Sequence, residues 1–591
     1  MVASTDDTRE HRYQRLIELG IALSAERNYN RLLEAILVGA KELTRADGGT
    51  LYLVSEDRKS LTFEILRNDT LGTAMGGTSG VPISLPPVSL YDPEGKPNRK
   101  NVSACAAVMA TPISIIDAYN DKNFDFTGTK AFDARTGYRS TSFLTVPLKN
   151  HEDEVVGVLQ LINALDEHHN VVPFSEEVTP LVVALASQAA MTLDNQMLLD
   201  AQKRLLLAFI QLLAGAIDAK SPYTGGHCRR VPHLTEMLAR AAEEADTGPL
   251  AGFSLSEDQW YELEVAAGLH DCGKVTTPEY VVDKATKLET IYNRIHEIRM
   301  RFEVVKRDAE IAYLNAVIAG GDPETLKAQR DSRLAELDAD FAFVAECNVG
   351  GEFMAPDKVE RVRRIADTTW VRTLDDTLGL AWEERARKAA HPTTVPTVER
   401  LLDDKPEHVI AHNKPPIGPD NPWGFKIPVP DNKFNLGEIY NLAISRGTLT
   451  PEDRFHINDH IVQTIIMLEA LPLPRNLRRV PEIAGGHHEK MDGSGYPKGL
   501  KRDEMSIPAR MMAIADIFEA LTARDRPYKP AKKLSEALKI MSFMVKDNHI
   551  DPDLFEFFLT SGVYRHYADL YLMPEQLDEI DIANYLPKRA Q

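Results

Sequence analysis

An acid stands in the middle of an apolar helical pattern: Asp516, within Ala513-Ile514-Ala515-Asp516-Ile517-Phe518-Glu519-Ala520-Leu521. Its neighbours carry it into a core, where a carboxylate without a partner is costly. The chain must therefore fold so that a cation or positive side chain meets Asp516. The same constraint recurs at His270-Asp271, which directly follows the apolar run Val265–Leu269. A dication would offset that buried charge, and the two oxygens of Asp271 suit it to bridge two ions. Lys274, close behind in sequence, is either a cation for a phosphate oxygen or a surface lysine.

A second block carries the adjacent pair His487-His488 with Glu489, then the tight turn Asp492-Gly493-Ser494-Gly495-Tyr496-Pro497. Successive side chains on a helix diverge by about 100°, so the pair is expected to serve two sides of one metal cluster. Upstream, Gly225-Gly226 turns the backbone so that His227 opens a helical pattern as a further candidate ligand. Arg230 and Lys490 are candidates to add positive charge where a phosphate binds.

His227, His270-Asp271 and Asp516 follow the order of the HD phosphohydrolase superfamily, and the histidine pair with its Gly-Tyr-Pro loop resembles the HD-GYP subfamily. The resemblance covers residues 205–284 and 447–560. It implies hydrolysis of cyclic di-GMP, to pGpG and in some cases onward to GMP. It also selects one more ligand: Leu449-Thr450-Pro451-Glu452-Asp453 followed by His460 matches the family pattern, and His456 is then a helix neighbour. His296, after Lys287-Leu288, imitates the motif with shorter spacing and without Thr-Pro-Glu.

The expected metal set is His227, His270, Asp271, His460, His487, His488 and Asp516. Five imidazoles and two carboxylates suit Fe or Mn better than Mg or Ca, with Zn compatible. Some subfamily members hold a third ion on a glutamate where this chain has Tyr223, so two divalent ions are expected. Such a pair would set water in line with the scissile bond without a covalent nucleophile, leaving Asp271 and Lys274 as the catalytic pair. Gly495, Tyr496 and Pro497 would wall the substrate, with Tyr496 either stacking on guanine or structural. Arg526, in Arg526-Pro527-Tyr528, resembles the family and would face substrate or brace the loop.

The length of 591 residues implies about three to five domains. A net charge of −20 opposes nonspecific contact with nucleic acid or anionic lipid, so an anionic substrate needs local positive charge. No signal-like or membrane-length apolar segment is read, and four cysteines form no disulfide framework or thiolate cluster. A cytoplasmic protein is expected, without membrane or nucleic-acid partners.

Residues 12–46 carry helical spacing and lead into strands at Thr50–Val54, Leu61–Leu66, Phe143–Leu148 and Glu154–Ile162, followed by a long helical run toward Lys220. This order resembles a GAF domain, as do Gly137-Tyr138-Arg139-Ser140 and Val146-Pro147-Leu148. Asn163 and Phe174 match cyclic-nucleotide-binding GAF domains, but Ala164 and Val178-Thr179 depart from them, and Cys105 is the sole cysteine available for a bilin. A small-ligand or dimerising sensor of unknown ligand is expected.

The fold expected is multidomain: an α+β GAF-like domain at 12–180 and an all-α HD-type domain at 220–560, with a tail at 561–591. A linker helix at 181–219 is expected to pair with its copy in a homodimer. An insertion at 285–446, charged and helical at first and proline-rich over 392–435, reads as a lid or interaction arm. The implied function is a cyclic di-GMP phosphodiesterase under GAF control. A phosphohydrolase of another cyclic dinucleotide or nucleotide, and a noncatalytic metal-binding scaffold, remain open.

Overall fold

The computed structural model describes residues 5–220, 226–351, 353–413, 417, 418, 420–524 and 531–586. Tyr223, Lys414-Pro415-Pro416 and Arg526 lie outside the described residues. The chain divides into two compact units, Met1–Leu206 and Leu207–Gln591.

The first unit opens with α1 (Thr5–Ala25) and α2 (Tyr29–Thr44) where the sequence pattern reads as one helix. The break comes at Asn28, whose backbone is extended and whose side chain accepts the Arg31 amide at 3.1 Å, capping α2. The strands are β1 (Ala46–Val54), β2 (Ser60–Asn68), β3 (Thr73–Gly76), β4 (Val88–Ser89), β5 (Ile113–Ile115), β6 (Phe143–Lys149), β7 (Val155–Leu165) and β8 (Val171–Val172). They form one antiparallel sheet in the order β3-β2-β1-β7-β6-β5, with β4 on β2 and β8 on β7. Asp47-Gly48-Gly49 lie inside β1. A Cβ on Gly49 would come within 2.7 Å of Leu37 Cδ1, so the glycine lets α2 lie close against the sheet.

Alternation along the strands divides the unit into two cores. Leu51, Leu159 and Leu161 face α2 and the start of α5 (Thr179–Lys220), packing with Ile36, Leu37 and Leu185. Tyr52 and Val158 face the other way, onto α3 (Val102–Met109), while α4 (Thr127–Thr136) precedes the Gly137 turn. Phe174 belongs to the first core. Asn163 is spent on the backbone: its Oδ1 accepts the Thr141 amide at 2.7 Å and its Nδ2 donates to the Arg139 carbonyl at 2.8 Å. Both residues that matched nucleotide-binding GAF domains therefore hold the fold together.

The second unit is helical: α6 (His227–Glu243), α7 (Glu257–Leu269), α8 (Glu279–Val282), α9 (Ile295–Ile318), α10 (Pro323–Val349) and α11 (Pro356–Ala366). Small ribbons follow, β9 (Thr369–Arg372) with β10 (Thr397–Arg400) around α12 (Trp382–Ala389), and β11 (Val409–Ile410) with β12 (Phe434–Asn435). The chain continues through α13 (Glu438–Leu442), α14 (Pro451–Glu469), α15 (Val480–Gly485), α16 (Ile507–Thr522), α17 (Leu534–Lys546), α18 (Pro552–Thr560) and α19 (Val563–Tyr571). Among the described residues, no helix is long and apolar enough to cross a membrane.

Residues 285–446 have a core of their own, in which Phe302 and Val305 of α9 meet Leu337 and Val344 of α10, with Ile365, Leu401 and Leu442 beneath. Their two ends are tied at one place. Lys287 is 1% exposed and donates its ammonium to the carbonyls of Leu442 and Ile444 at 2.8 Å each, and Thr448 Oγ1 donates to the Lys284 carbonyl at 3.0 Å. The insertion thus leaves and rejoins the domain at a single stem just ahead of α14.

Candidate metal centre

Five of the seven candidate ligands sit where a helix begins or ends, while His460 and Asp516 lie within α14 and α16. Gly226, at φ 90°, caps α6, so His227 is its first residue. His270 ends α7 and Asp271 caps a short 3-10 turn, Cys272–Thr276. Thr450 caps α14 through a reciprocal pair with Asp453, and Pro451 occupies the first turn; the Thr-Pro-Glu-Asp motif is a helix start that aims His460 inward. The histidine pair differs from the expected helical placement. α15 stops at Gly485, and His487 and His488 lie in the turn beyond it.

The structure brings these side chains together in two groups. His227, His270, Asp271 and Asp516 place ligand atoms within 4.8 Å of one another, and His460, His487 and His488 do likewise. Asp271 joins the groups: Oδ2 lies 3.1 Å from Nε2 of both His227 and His270, and Oδ1 lies 3.3 Å from His460 Nε2. His296 stands exposed on α9 against Arg299 and Tyr292.

The protonation pattern fits metal ligation. His270 and His487 offer Nδ1 to the carbonyls of Ala267 and Ala484 at 2.7 Å, and His460 offers Nδ1 to Ile457. A proton held there leaves Nε2 as a lone pair. Among the described residues, His270 Nε2, His487 Nε2 and Asp271 Oδ1 are buried without an aligned hydrogen bond, although other polar atoms stand near. His460 Nε2 and His488 Nε2 face each other at 3.1 Å. Converging imidazole nitrogens and carboxylate oxygens, several of them without a hydrogen bond, suit a shared cation, and a divalent ion fits this donor set.

The charges agree. Burial would raise the Asp516 carboxyl, but His227 holds it well below the usual range; Asp271 is likewise held low by Lys274, His270 and His227 against its burial. Burial, reinforced by His270, pushes His487 down to about 4, and His488 also falls beside His487 and His460. His227 rises: burial and Lys274 oppose its proton, but Asp271, Asp516 and Glu519 retain it. A cation among those carboxylates would replace that proton.

Glu519 had no role from sequence, although it lies three residues after Asp516 on the same helix face. It is 1% exposed, pairs with His227 Nδ1, and accepts Arg230 Nε at 2.6 Å. Arg230, expected at the substrate, is thus committed to holding Glu519 while lining the same cavity. Glu519→Gln is expected to weaken metal binding about 10–100-fold with the fold intact. Metal titration beside a melting curve checks this.

Glu489 organises the loop beyond the histidine pair. Its buried carboxylate accepts the amides of Lys498, Gly499 and Leu500 at 2.7, 3.1 and 2.9 Å. Gly495 packs under it so closely that a Cβ would lie 2.3 Å from the Lys490 nitrogen. Tyr496 lays its ring on His488 at 5.0 Å and 16°, and Pro497 accepts the Lys426 amide at 2.7 Å. Lys490 sets its charge beside Asp492 and His549.

A cavity of about 590 Å³ is lined by His227, Lys274, His460 and Glu519 together with Lys284, Gly350 and Arg446–Leu449. Its volume suits a small-molecule ligand. A larger cavity, about 930 Å³, lies between α11, α13 and the start of α14 but has no histidine in its lining; the donor set locates the chemistry better than size does.

Comparison with known proteins agrees with this architecture. Residues 28–193 match the GAF domain and residues 396–554 the HD domain. The chain therefore carries a GAF domain ahead of a helical HD domain. The HD match takes in His460, His487, His488 and Asp516, while His227, His270 and Asp271 lie before it. The chain is similar to a probable cyclic di-GMP phosphodiesterase of Vibrio cholerae, at 35% identity over 23% of this chain and 29% of that protein. It is similar to 3'3'-cGAMP-specific phosphodiesterase 1 of the same organism, at 46% over 13% and 18%. A cyclic di-GMP phosphodiesterase of Thermotoga maritima matches at 35% over 24% and 37%. The chain thus spans well under half the length of each of these relatives.

Proposed function

We propose that this protein is a metal-dependent phosphodiesterase that opens cyclic di-GMP to pGpG, with GMP as a further product to be sought. The clustering of five imidazoles and two carboxylates beside a pocket of nucleotide size, which His227 and His460 line, carries this reading. The similarity to cyclic di-GMP phosphodiesterases supports it. Two divalent ions, Fe or Mn, on His227, His270, Asp271, His460, His487, His488 and Asp516 would supply an activated water and positive charge at the phosphate.

The chain's own groups do the rest. Asp271 spans the two ligand groups, and Lys274, 2.5 Å from Asp271 Oδ2 and lining the cavity, would meet a nonbridging phosphate oxygen. Tyr496, stacked on His488, and the Gly495–Pro497 turn position that histidine. A 3'3'-cGAMP substrate is the second reading, favoured by the similarity to a phosphodiesterase of that specificity.

We assign the GAF domain a sensing role for a small ligand other than a cyclic nucleotide, since Asn163 and Phe174 are committed to the fold. Met191, Leu198, Leu205 and Leu212 of α5 stand 50, 53, 58 and 66% exposed at seven-residue intervals, the spacing of a coiled-coil seam with a second copy. The buried thiols of all four cysteines fit a cytoplasmic setting.

Turnover of a cyclic-dinucleotide panel by metal-loaded protein, with metal content measured on the same sample, tests the assignment. His460→Ala is expected to lower kcat at least about 100-fold and release metal, while His296→Ala stays near wild type. Metal retained without turnover of any cyclic dinucleotide would make the protein a scaffold instead.

A further inference from the structure

We propose that Arg446 and Arg454 form a second phosphate subsite, built where the insertion rejoins the domain, for the phosphodiester that is not being cleaved. The inference rests on the cyclic-dinucleotide reading above. Such a substrate is a ring with two phosphodiesters on opposite sides; with one at the histidines, the other faces the far wall of the cavity.

Five cationic side chains line that cavity, and three are already committed. Arg230 holds Glu519, Lys274 pairs with Asp271, and Lys284 pairs with Asp453 at 2.7 Å. Arg446 and Arg454 line it too, are solvent-exposed, and form no ion pair with any carboxylate among the described residues. Arg454 Nη2 donates to the Arg446 carbonyl at 3.3 Å, which ties the first turn of α14 to the end of the insertion. The Arg446 guanidinium rests 5.8 Å from the Phe353 ring centre. Gly447, at φ 71°, turns the chain here, and a Cβ on Gly350 would meet its carbonyl at 3.0 Å, so two glycines let the stem close.

In a chain of net charge −20, two guanidinium groups without an ion pair that line one pocket with His227 and His460 suit an anion that reaches both. Guanidinium is also the side chain best matched to a phosphodiester, through paired charge-assisted hydrogen bonds. The insertion thereby becomes part of the substrate pocket and a determinant of ring size.

The test compares full-length, metal-loaded wild type with Arg446→Ala, Arg454→Ala and the double variant. Substrates are cyclic di-GMP, 3'3'-cGAMP and bis(p-nitrophenyl) phosphate, which has a single phosphodiester. Each single change is expected to lower kcat/KM on the cyclic dinucleotides about 10-fold, and the double about 100-fold, chiefly through KM. The loss on bis(p-nitrophenyl) phosphate should be at least about 10-fold smaller. Arg446→Lys and melting temperatures within about 2 °C of wild type separate binding from folding. Equal losses on all substrates, or wild-type turnover by the double variant, overturn the subsite. A wild type that cleaves bis(p-nitrophenyl) phosphate but neither cyclic dinucleotide overturns the substrate reading, and the subsite with it.

Discussion

Asp271→Ala is expected to abolish phosphodiester hydrolysis, lowering kcat/KM about a thousandfold or more, and to reduce bound metal below two ions per chain. The expectation follows from position. Asp271 is 3% exposed and is, among the described residues, the one whose two oxygens reach both groups, His227 and His270 through Oδ2 and His460 through Oδ1. Among the described residues, Asp516 is the other carboxylate of the cluster, and it meets the same His227 Nε2 at 3.2 Å without reaching the second group. Removing Asp271 also breaks its ion pair with Lys274. Metal analysis after anaerobic loading with iron or manganese, beside a turnover assay, checks the result. Full activity with two ions retained would sink the bridging assignment. A reproducible third ion in the wild type would sink the two-ion stoichiometry expected from Tyr223.

The second large effect is expected from a residue with no side chain. A Cβ on Gly273 would lie 1.9 Å from the His460 carbonyl oxygen and 2.6 Å from the Thr464 nitrogen, both backbone atoms that cannot swing aside. The Gly273 amide itself donates to Thr464 Oγ1 at 2.9 Å, so the 3-10 turn and α14 touch backbone to backbone. Gly273→Ala must push them apart by more than about 1 Å. That separates Asp271 from His460, and a misplacement of that size costs about 100-fold in rate. Overpacking should also destabilise the domain by about 1–3 kcal/mol. Gly215→Ala, in α5 with nothing within 4 Å of its Cβ, is the control and should be neutral or slightly stabilising. Equal melting temperatures and activities for the two variants would contradict the close approach.

Sequence alone determined much of this protein. Periodicity located the principal strands and the long helix toward Lys220, and buried acids in apolar runs marked Asp271 and Asp516 as residues in need of cations. Motif spacing favoured His460 over His296, and the structure sets only His460 beside Asp271. These features are legible because each is local: a cap, a period, or a charge among apolar neighbours.

What tertiary structure decided is how distant segments complete one another. It ended α15 before the histidine pair, since the pair's inward direction comes from the loop that Glu489 gathers and not from a helix. It turned Arg230 onto Glu519, 289 residues away, and made Glu519 the support of His227. It folded the insertion on its own core and returned it to form a wall of the pocket. Partners separated by hundreds of residues leave no mark in local pattern, because burial and charge neutralisation are satisfied by whatever the packed fold brings near.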